Sequence, residues 1–342
     1  MATIKVAVRC RPFSEQDELG VHLVQRGEGE GEVNLLKSQY PQDRFAFSYA
    51  WWSAFGYERF IRGSPPEAAD MNLMTQEDVY ETVGKRICNE FLDGEPVVLF
   101  AYGLSGSGKT YTVFGPDAVN APEAWFNSPN NEPAESWGIF PRLAYNVFQQ
   151  KNKQSNNGSS PWAVSLRYFQ NIVNDVRDLA SPVGEEKNFK TGLHRDESGF
   201  MEFDWVSTVP LRTFSELCST VKEANRRKAL AATQFNWCST RGHCILQLEL
   251  TKPHASIPDV QTRCRLYVCD LAGTEPAADI VASVYDRRKV PDPKVDGKFL
   301  TEYVLVGEDP NSAKTKELVN QGKKINLSLT EISQFFMKKF KI

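Results

Sequence analysis

The chain has 342 residues, 41% of them hydrophobic and 24% charged, with a formal net charge of −3. That profile is ordinary for a globular protein, allows roughly two domains, and is ample for a large buried core. The longest apolar run, residues 97–104, is far short of a spanning helix, and the N-terminus lacks a signal-like apolar region, so a chain neither membrane-embedded nor secreted is expected.

In chain order, residues 4–10 alternate as a strand that ends at Arg11-Pro12, and residues 45–49 form a second short strand candidate. Val79, Val83, Ile87 and Phe91 recur at helical spacing and predict a helix over 76–92. Asp93-Gly94 then leads into the apolar run 97–102, which suits a strand buried on both faces. Residues 162–169 predict a strand and 213–230 a helix with Leu217, Val221 and Ala224 on one face. Residues 244–250 and 264–269 read as two strands of an antiparallel hairpin. Loops or insertions are expected near 51–72, 115–136 and 276–316, and the polar stretch 151–161 reads as a mobile loop. Short strands alternating with helical patterns argue for an α/β fold.

The seven cysteines and four histidines show no zinc, redox or metal-ligand spacing, which fits reduced thiols in a cytosolic protein. Charge is uneven: residues 314–342 hold seven lysines against Glu317 and Glu331, so the remaining body is acidic. An acidic body with one basic end does not suggest nucleic-acid binding. It leaves one surface suited to an acidic partner.

Gly103-Leu104-Ser105-Gly106-Ser107-Gly108-Lys109-Thr110 fits the phosphate-loop pattern, placed between a predicted strand and a helix. Glycines let successive N–H groups converge on phosphate oxygens, and the helix N-terminus adds partial positive charge. In such loops the lysine reaches the β- and γ-phosphates and the hydroxyl serves Mg²⁺, roles that fall here to Lys109 and Thr110. The strand 266–270 ends in Asp270, an acid suited to hold Mg²⁺ through water, and Gly273 follows with a backbone N–H for the γ-phosphate.

Phe100-Ala101-Tyr102-Gly103 before the loop, Asn236 to His243, and Asp270-Leu271-Ala272-Gly273-Thr274-Glu275 together resemble the phosphate loop and two switches of a kinesin motor domain. Arg9-Cys10-Arg11-Pro12, Gly138-Ile139-Phe140-Pro141-Arg142 and residues 231–236 fit the same family, and the resemblance covers nearly the whole chain. It implies a P-loop NTPase with a central mixed, mostly β sheet flanked by helices on both faces, formed by residues 1–342 as a single motor-like domain. It further implies ATP or ADP with Mg²⁺ as ligands, hydrolysis of ATP coupled to microtubules, and a cytoplasmic, cytoskeletal setting. Arg9, Arg11 and Pro12 would lie on the adenine side and Tyr111 would stack there. Gly103, Ser105, Gly106, Ser107, Gly108, Lys109 and Thr110 would hold the phosphates. Ser239, Thr240 and Gly273 would face the γ-phosphate and attacking water, with Thr110, Thr240 and Asp270 serving Mg²⁺. Arg241 and Glu275 would pair across the switches.

Several positions depart from the family pattern. Gly242 and Thr240 stand where serines are usual, Pro276 where an arginine is usual, and Tyr168-Phe169-Gln170-Asn171-Ile172 where the pattern is Tyr-Phe-Glu-Ile-Tyr. These departures keep open a degenerate kinesin that binds nucleotide or microtubules with little turnover, and another P-loop NTPase is the further alternative. Residues 325–329 resemble the start of the family's microtubule-contacting helix, so Lys323, Lys324, Lys338 and Lys339 are the expected contacts with acidic tubulin, although Leu327 replaces a usual lysine. Arg287-Arg288-Lys289 is a further basic cluster for microtubules or another partner. The family's domain continues past the equivalent of Ile342 with a strand beside the phosphate-loop strand. The expectation is therefore a fragment, with an unpaired edge on the N-terminal strand.

Overall fold

The computed structural model describes residues 4–11, 21–35, 44–53, 73–104, 106–116, 124–127, 132–156, 162–172, 175–183, 185–188, 190–197, 199–234, 242–254, 256–257, 260–273, 282–291 and 299–309, with 316, 320 and 323. Six strands come first: β1 (Ala7–Cys10), β2 (Val21–Gln25), β3 (Gly31–Leu35), β4 (Arg44–Phe47), β5 (Tyr49–Ser53) and β6 (Leu73–Met74). The strand expected over 45–49 is thus two strands broken at Ser48. There the N–H groups of Ser48 and Tyr49 both donate to the Val6 carbonyl, which swings the chain from the β2-β3-β4 meander into a parallel β1-β5-β6 sheet. Residues 51–53, expected in a loop, belong to β5 because Trp51 and Trp52 are buried.

The helix expected over 76–92 is continuous through Asp93, as α1 (Gln76–Val79), a π turn (Tyr80–Gly84) and α2 (Lys85–Asp93). Thr75 caps it: its side chain accepts from the Asp78 N–H while Asp78 returns a bond to the Thr75 N–H. Gly94, at φ 106°, ends it in a left-handed turn. The chain then enters β7 (Val97–Ala101), the phosphate-loop stretch, and α3 (Lys109–Phe114). A 3₁₀ turn (Trp125–Asn127) precedes α4 (Ile139–Asn156). Residues 151–156, expected as loop, are the last turns of α4; apolar Leu143, Ala144, Val147 and Phe148 on its buried face carry the helix on through polar sequence.

Next come β8 (Ala163–Ile172), β9 (Asp175–Asp178), β10 (Glu186–Asn188), β11 (Leu193–Arg195), β12 (Met201–Phe203) and β13 (Val209–Leu211). Helix α5 (Phe214–Gln234) leads to β14 (His243–Pro253) and β15 (Gln261–Asp270), which pair antiparallel as expected. A seven-stranded mixed sheet results, in the order β10-β9-β8-β14-β15-β7 with β13 also on β8. The fold is α/β: a mixed central sheet with helices packed on it. Among the described residues no helix is long and apolar enough to cross a membrane.

Among the described residues β7 pairs only with β15, and parallel, so it stands at the end of the described sheet. Burial on both faces is therefore not realised: Val98 is 61% exposed. Leu99, on the opposite face of β7, packs into a cluster with Tyr49, Trp51, Met74, Val79 and Ile139, which ties the small parallel sheet to the large one. The main core lies under the large sheet, where Phe214 of α5 meets Trp125, Trp137, Tyr145 and Phe148 at ring centroid distances of 5.6 to 6.2 Å.

The region expected as a loop over 276–316 contains a hairpin, β16 (Ala282–Pro291) with β17 (Phe299–Asp309). It forms a two-stranded sheet of its own. Lys316 and Lys323 are helical and exposed. The remainder of the expected basic helix, with Lys324, Lys338 and Lys339, lies outside the described residues.

Candidate nucleotide site

The site forms where strands end together. In the parallel pair β15/β7, Asp270 stands opposite Ala101, so the acid at the end of β15 lies level with the start of the phosphate loop. β14 begins at the same edge, with Cys244 opposite Asp270 and His243 opposite Asn171 of β8. Ligands of open α/β sheets sit at such carboxyl ends.

The loop leaves β7 at Tyr102 and turns through Gly103, Gly106 and Gly108, all at positive φ. Side chains other than glycine are strained there, and Gly106 and Gly108 have only open space where a Cβ would be. Such a backbone leaves N–H groups free to face an anion, ahead of the N-terminus of α3. Lys109 Nζ donates to the carbonyls of Gly103 at 3.1 Å and Leu104 at 2.8 Å, which holds its ammonium over the loop.

Thr110 Oγ1 donates to Asp270 Oδ2 at 2.6 Å, joining the loop helix to the strand end. The other oxygen, Asp270 Oδ1, is buried without a hydrogen-bond partner. An orphaned carboxylate oxygen beside a hydroxyl is the donor chemistry Mg²⁺ uses alongside phosphate oxygens and water, so these residues fit that ion. Among the described residues no group of three His, Cys, Asp or Glu side chains could hold a metal by itself.

On the opposite flank, Arg9 of β1 lies with its guanidinium carbon 5.9 Å from the centre of the Tyr111 ring. Burial lowers the pKa of Arg9, with Tyr111 opposing. Its Nη1 donates to Gln76 Oε1 at 2.7 Å and Thr112 Oγ1 at 3.1 Å. Gln76 Nε2 in turn donates to the Tyr111 carbonyl at 2.6 Å. Tyr111 is partly exposed, leaving a ring beside a cation at a site edge. Arg9 holds this position, while Arg11 lies exposed beyond the end of β1.

Gln76 was not singled out from sequence, whereas His243 closes the switch-like motif read there. Gln76, 4% exposed, links Arg9 to the start of α3, and its only sequence signal is its place just after the Thr75 cap. His243 is buried, and its Nδ1 accepts from the Ala272 N–H at 3.1 Å, joining the start of β14 to the segment after Asp270. Burial pushes its pKa below the usual imidazole value.

Residues 9–289 match the family model for the kinesin motor domain. The chain belongs to the kinesin motor family. It is 28% identical to kinesin-like protein unc-104 of Caenorhabditis elegans over 282 residues, covering 81% of this chain and 16% of that protein. It is 26% identical to kinesin-like protein KIF1A of Rattus norvegicus over 282 residues, covering 81% and 15%. The chain thus spans about a sixth of the length of these relatives. A solved structure of a fast kinesin, addressing ATPase mechanism and interactions with microtubules, superposes with a TM-score of 0.59 at 19% identity, over 80% of this chain and 66% of that one. That likeness is one of fold.

Of the kinesin-like residues expected from sequence, Arg9, Gly103, Gly106, Ser107, Gly108, Lys109, Thr110, Tyr111, Asp270 and Gly273 lie along this one edge. Pro12, Ser105, Ser239, Thr240, Arg241 and Glu275 lie outside the described residues.

Proposed function

We propose that this chain is an ATP-dependent microtubule motor domain, formed by residues 1–342 as one unit, working in the cytoplasm on the microtubule cytoskeleton. The observation that carries the nucleotide reading is the Thr110–Asp270 hydrogen bond, which couples a phosphate loop to a strand-end acid with a free oxygen. In this reading the loop N–H groups and Lys109 bind the phosphates of ATP or ADP, and Arg9 with Tyr111 flanks the base. Mg²⁺, when bound, neutralises charge on the β- and γ-phosphate oxygens. Thr110 and, through water, Asp270 would hold it, joined by Thr240.

Hydrolysis then rests on positioning, with little covalent chemistry for the protein to supply. Gly273 offers its N–H to the γ-phosphate, Ser239 and Thr240 orient the attacking water, and Arg241 with Glu275 closes the two segments over it. Acidic tubulin would attract Lys323, Lys324, Lys338 and Lys339 in a salt-dependent manner.

The test is steady-state ATP turnover of the full chain with and without microtubules, beside Thr110→Ala and Asp270→Ala. Turnover that rises with polymer and falls at least about a hundredfold in both variants is the expected result. Nucleotide binding without turnover would instead support the degenerate-kinesin reading, which the glycine at 242 favours. Absence of any nucleotide binding would overturn the proposal.

A further inference from the structure

Two of the positions that depart from the family pattern, 170 and 242, touch. Gln170, on β8 opposite Cys244 of β14, is 2% exposed. Its side chain lies against Gly242, the residue immediately before β14. A Cβ built on Gly242 would stand 2.6 Å from Gln170 Nε2, 2.8 Å from its Cγ and 3.0 Å from its Cδ. No side chain fits at 242 while Gln170 holds this place. Gln170 Nε2 is also buried without a hydrogen-bond partner, as is Oδ1 of the next residue, Asn171.

A buried amide with an unmet donor is costly, and such groups collect at functional sites. The consequence of its position runs outward in one step. Gly242 is bonded to His243, whose Nδ1 holds the Ala272 N–H at 3.1 Å. Ala272 precedes Gly273, the proposed γ-phosphate donor. Glutamine at 170 and glycine at 242 therefore form one unit that sets where β14 begins and where His243 meets Ala272.

We propose that Gln170 is a positioning residue for the nucleotide site: it occupies the room a side chain at 242 would need and thereby fixes His243 against Ala272. The proposal rests on the nucleotide reading above. A serine at 242 would force this glutamine side chain to move, so the two departures are coupled.

The experiment is a double-mutant cycle in the full chain, Gln170→Ala, Gly242→Ala and the pair. It reads the release rate of a fluorescent ADP by stopped flow and the urea midpoint of each protein. Gly242→Ala alone is expected to speed release by roughly tenfold, and in the Gln170→Ala background by less than about twofold, a coupling typical of residues in contact. Gln170→Ala alone is expected to speed release several-fold, a change that a purely structural role would not produce. If Gly242→Ala fails to fold and the pair folds, the steric half is supported and the release rate of Gln170→Ala decides the rest. Additive effects, or release rates unchanged while the urea midpoints shift, would overturn the proposal. A wild-type chain that binds no fluorescent ADP would instead remove the nucleotide reading itself, a result distinct from variant-insensitive release.

Discussion

His243 shows how a single side chain links stability to pH at this edge. Its Nδ1 accepts the Ala272 N–H, which requires the imidazole to be neutral at that nitrogen, and burial lowers its pKa in the folded chain. The unfolded chain titrates near the ordinary histidine value of about 6.5. Between that value and the lower folded one, the unfolded state binds more protons, so stability rises with pH and is lost as pH falls below about 6.5. The slope cannot exceed ~1.4 kcal/mol per pH unit for one group. Urea midpoints between pH 7.5 and 5.5 should therefore fall more steeply for wild type than for His243→Asn, whose amide oxygen can accept the same bond without titrating in this range. Equal slopes would show that the imidazole takes up its proton over the same pH range in the folded and unfolded chain.

At the scale of elements, the stretch leading into α4 is held by one buried cation. Arg142, 6% exposed, donates through Nε to the Trp137 carbonyl at 3.0 Å, and through Nη2 to those of Ala134 at 2.8 Å and Glu135 at 3.3 Å. These bonds fix the turn that delivers Trp137 to Phe214 and Tyr145 in the main core. Arg142→Met keeps the length and apolar stem but removes these three bonds, leaving the Ala134 carbonyl only the Trp137 N–H, at a cost of about 2–4 kcal/mol. Chemical denaturation should show that loss, and a change under ~1 kcal/mol would mean that water replaces the guanidinium. The same element shows what the sequence carried and what it hid. The signals that proved readable were local ones: the glycine spacing from Gly103 to Thr110, the acid ending β15, and the 3.6-residue recurrence of Val79, Val83, Ile87 and Phe91. Lys151 to Asn156 is polar enough to resemble a loop, and only burial of Leu143, Val147 and Phe148 against distant strands makes it helix. Gln76 was invisible for a similar reason, since its role depends on Arg9 and Tyr111, which meet it only in the fold. Val98 misled because an apolar run carries no record of whether its strand has one neighbour or two.

For the whole molecule, the division between the family-like body and its additions falls inside one hairpin. The family match ends at residue 289, partway along β16, while β17 lies beyond it. β16 and β17 pair with each other from Ala282↔Asp309 to Pro291↔Phe299, and among the described residues they join neither the large sheet nor the small ones. A two-stranded ribbon of this kind is marginal on its own in water. Its two ends are neighbours, because Ala282 and Asp309 are directly paired, so a short linker can close the chain without stretching it. Replacing residues 282–309 by a Gly-Ser linker of about four residues should therefore leave the thermal midpoint within roughly 2 °C, about the shift that 1 kcal/mol produces in a chain this long. Nucleotide affinity should stay within about threefold, since among the described residues the loop, Thr110 and Asp270 are held by β7, α3 and β15, and the hairpin pairs with none of them. Differential scanning fluorimetry and titration with a fluorescent ADP measure the two quantities on the same preparation. A collapse of the midpoint would show that the hairpin is bound into the domain, and a selective loss of nucleotide affinity would show that it braces the segment after Asp270.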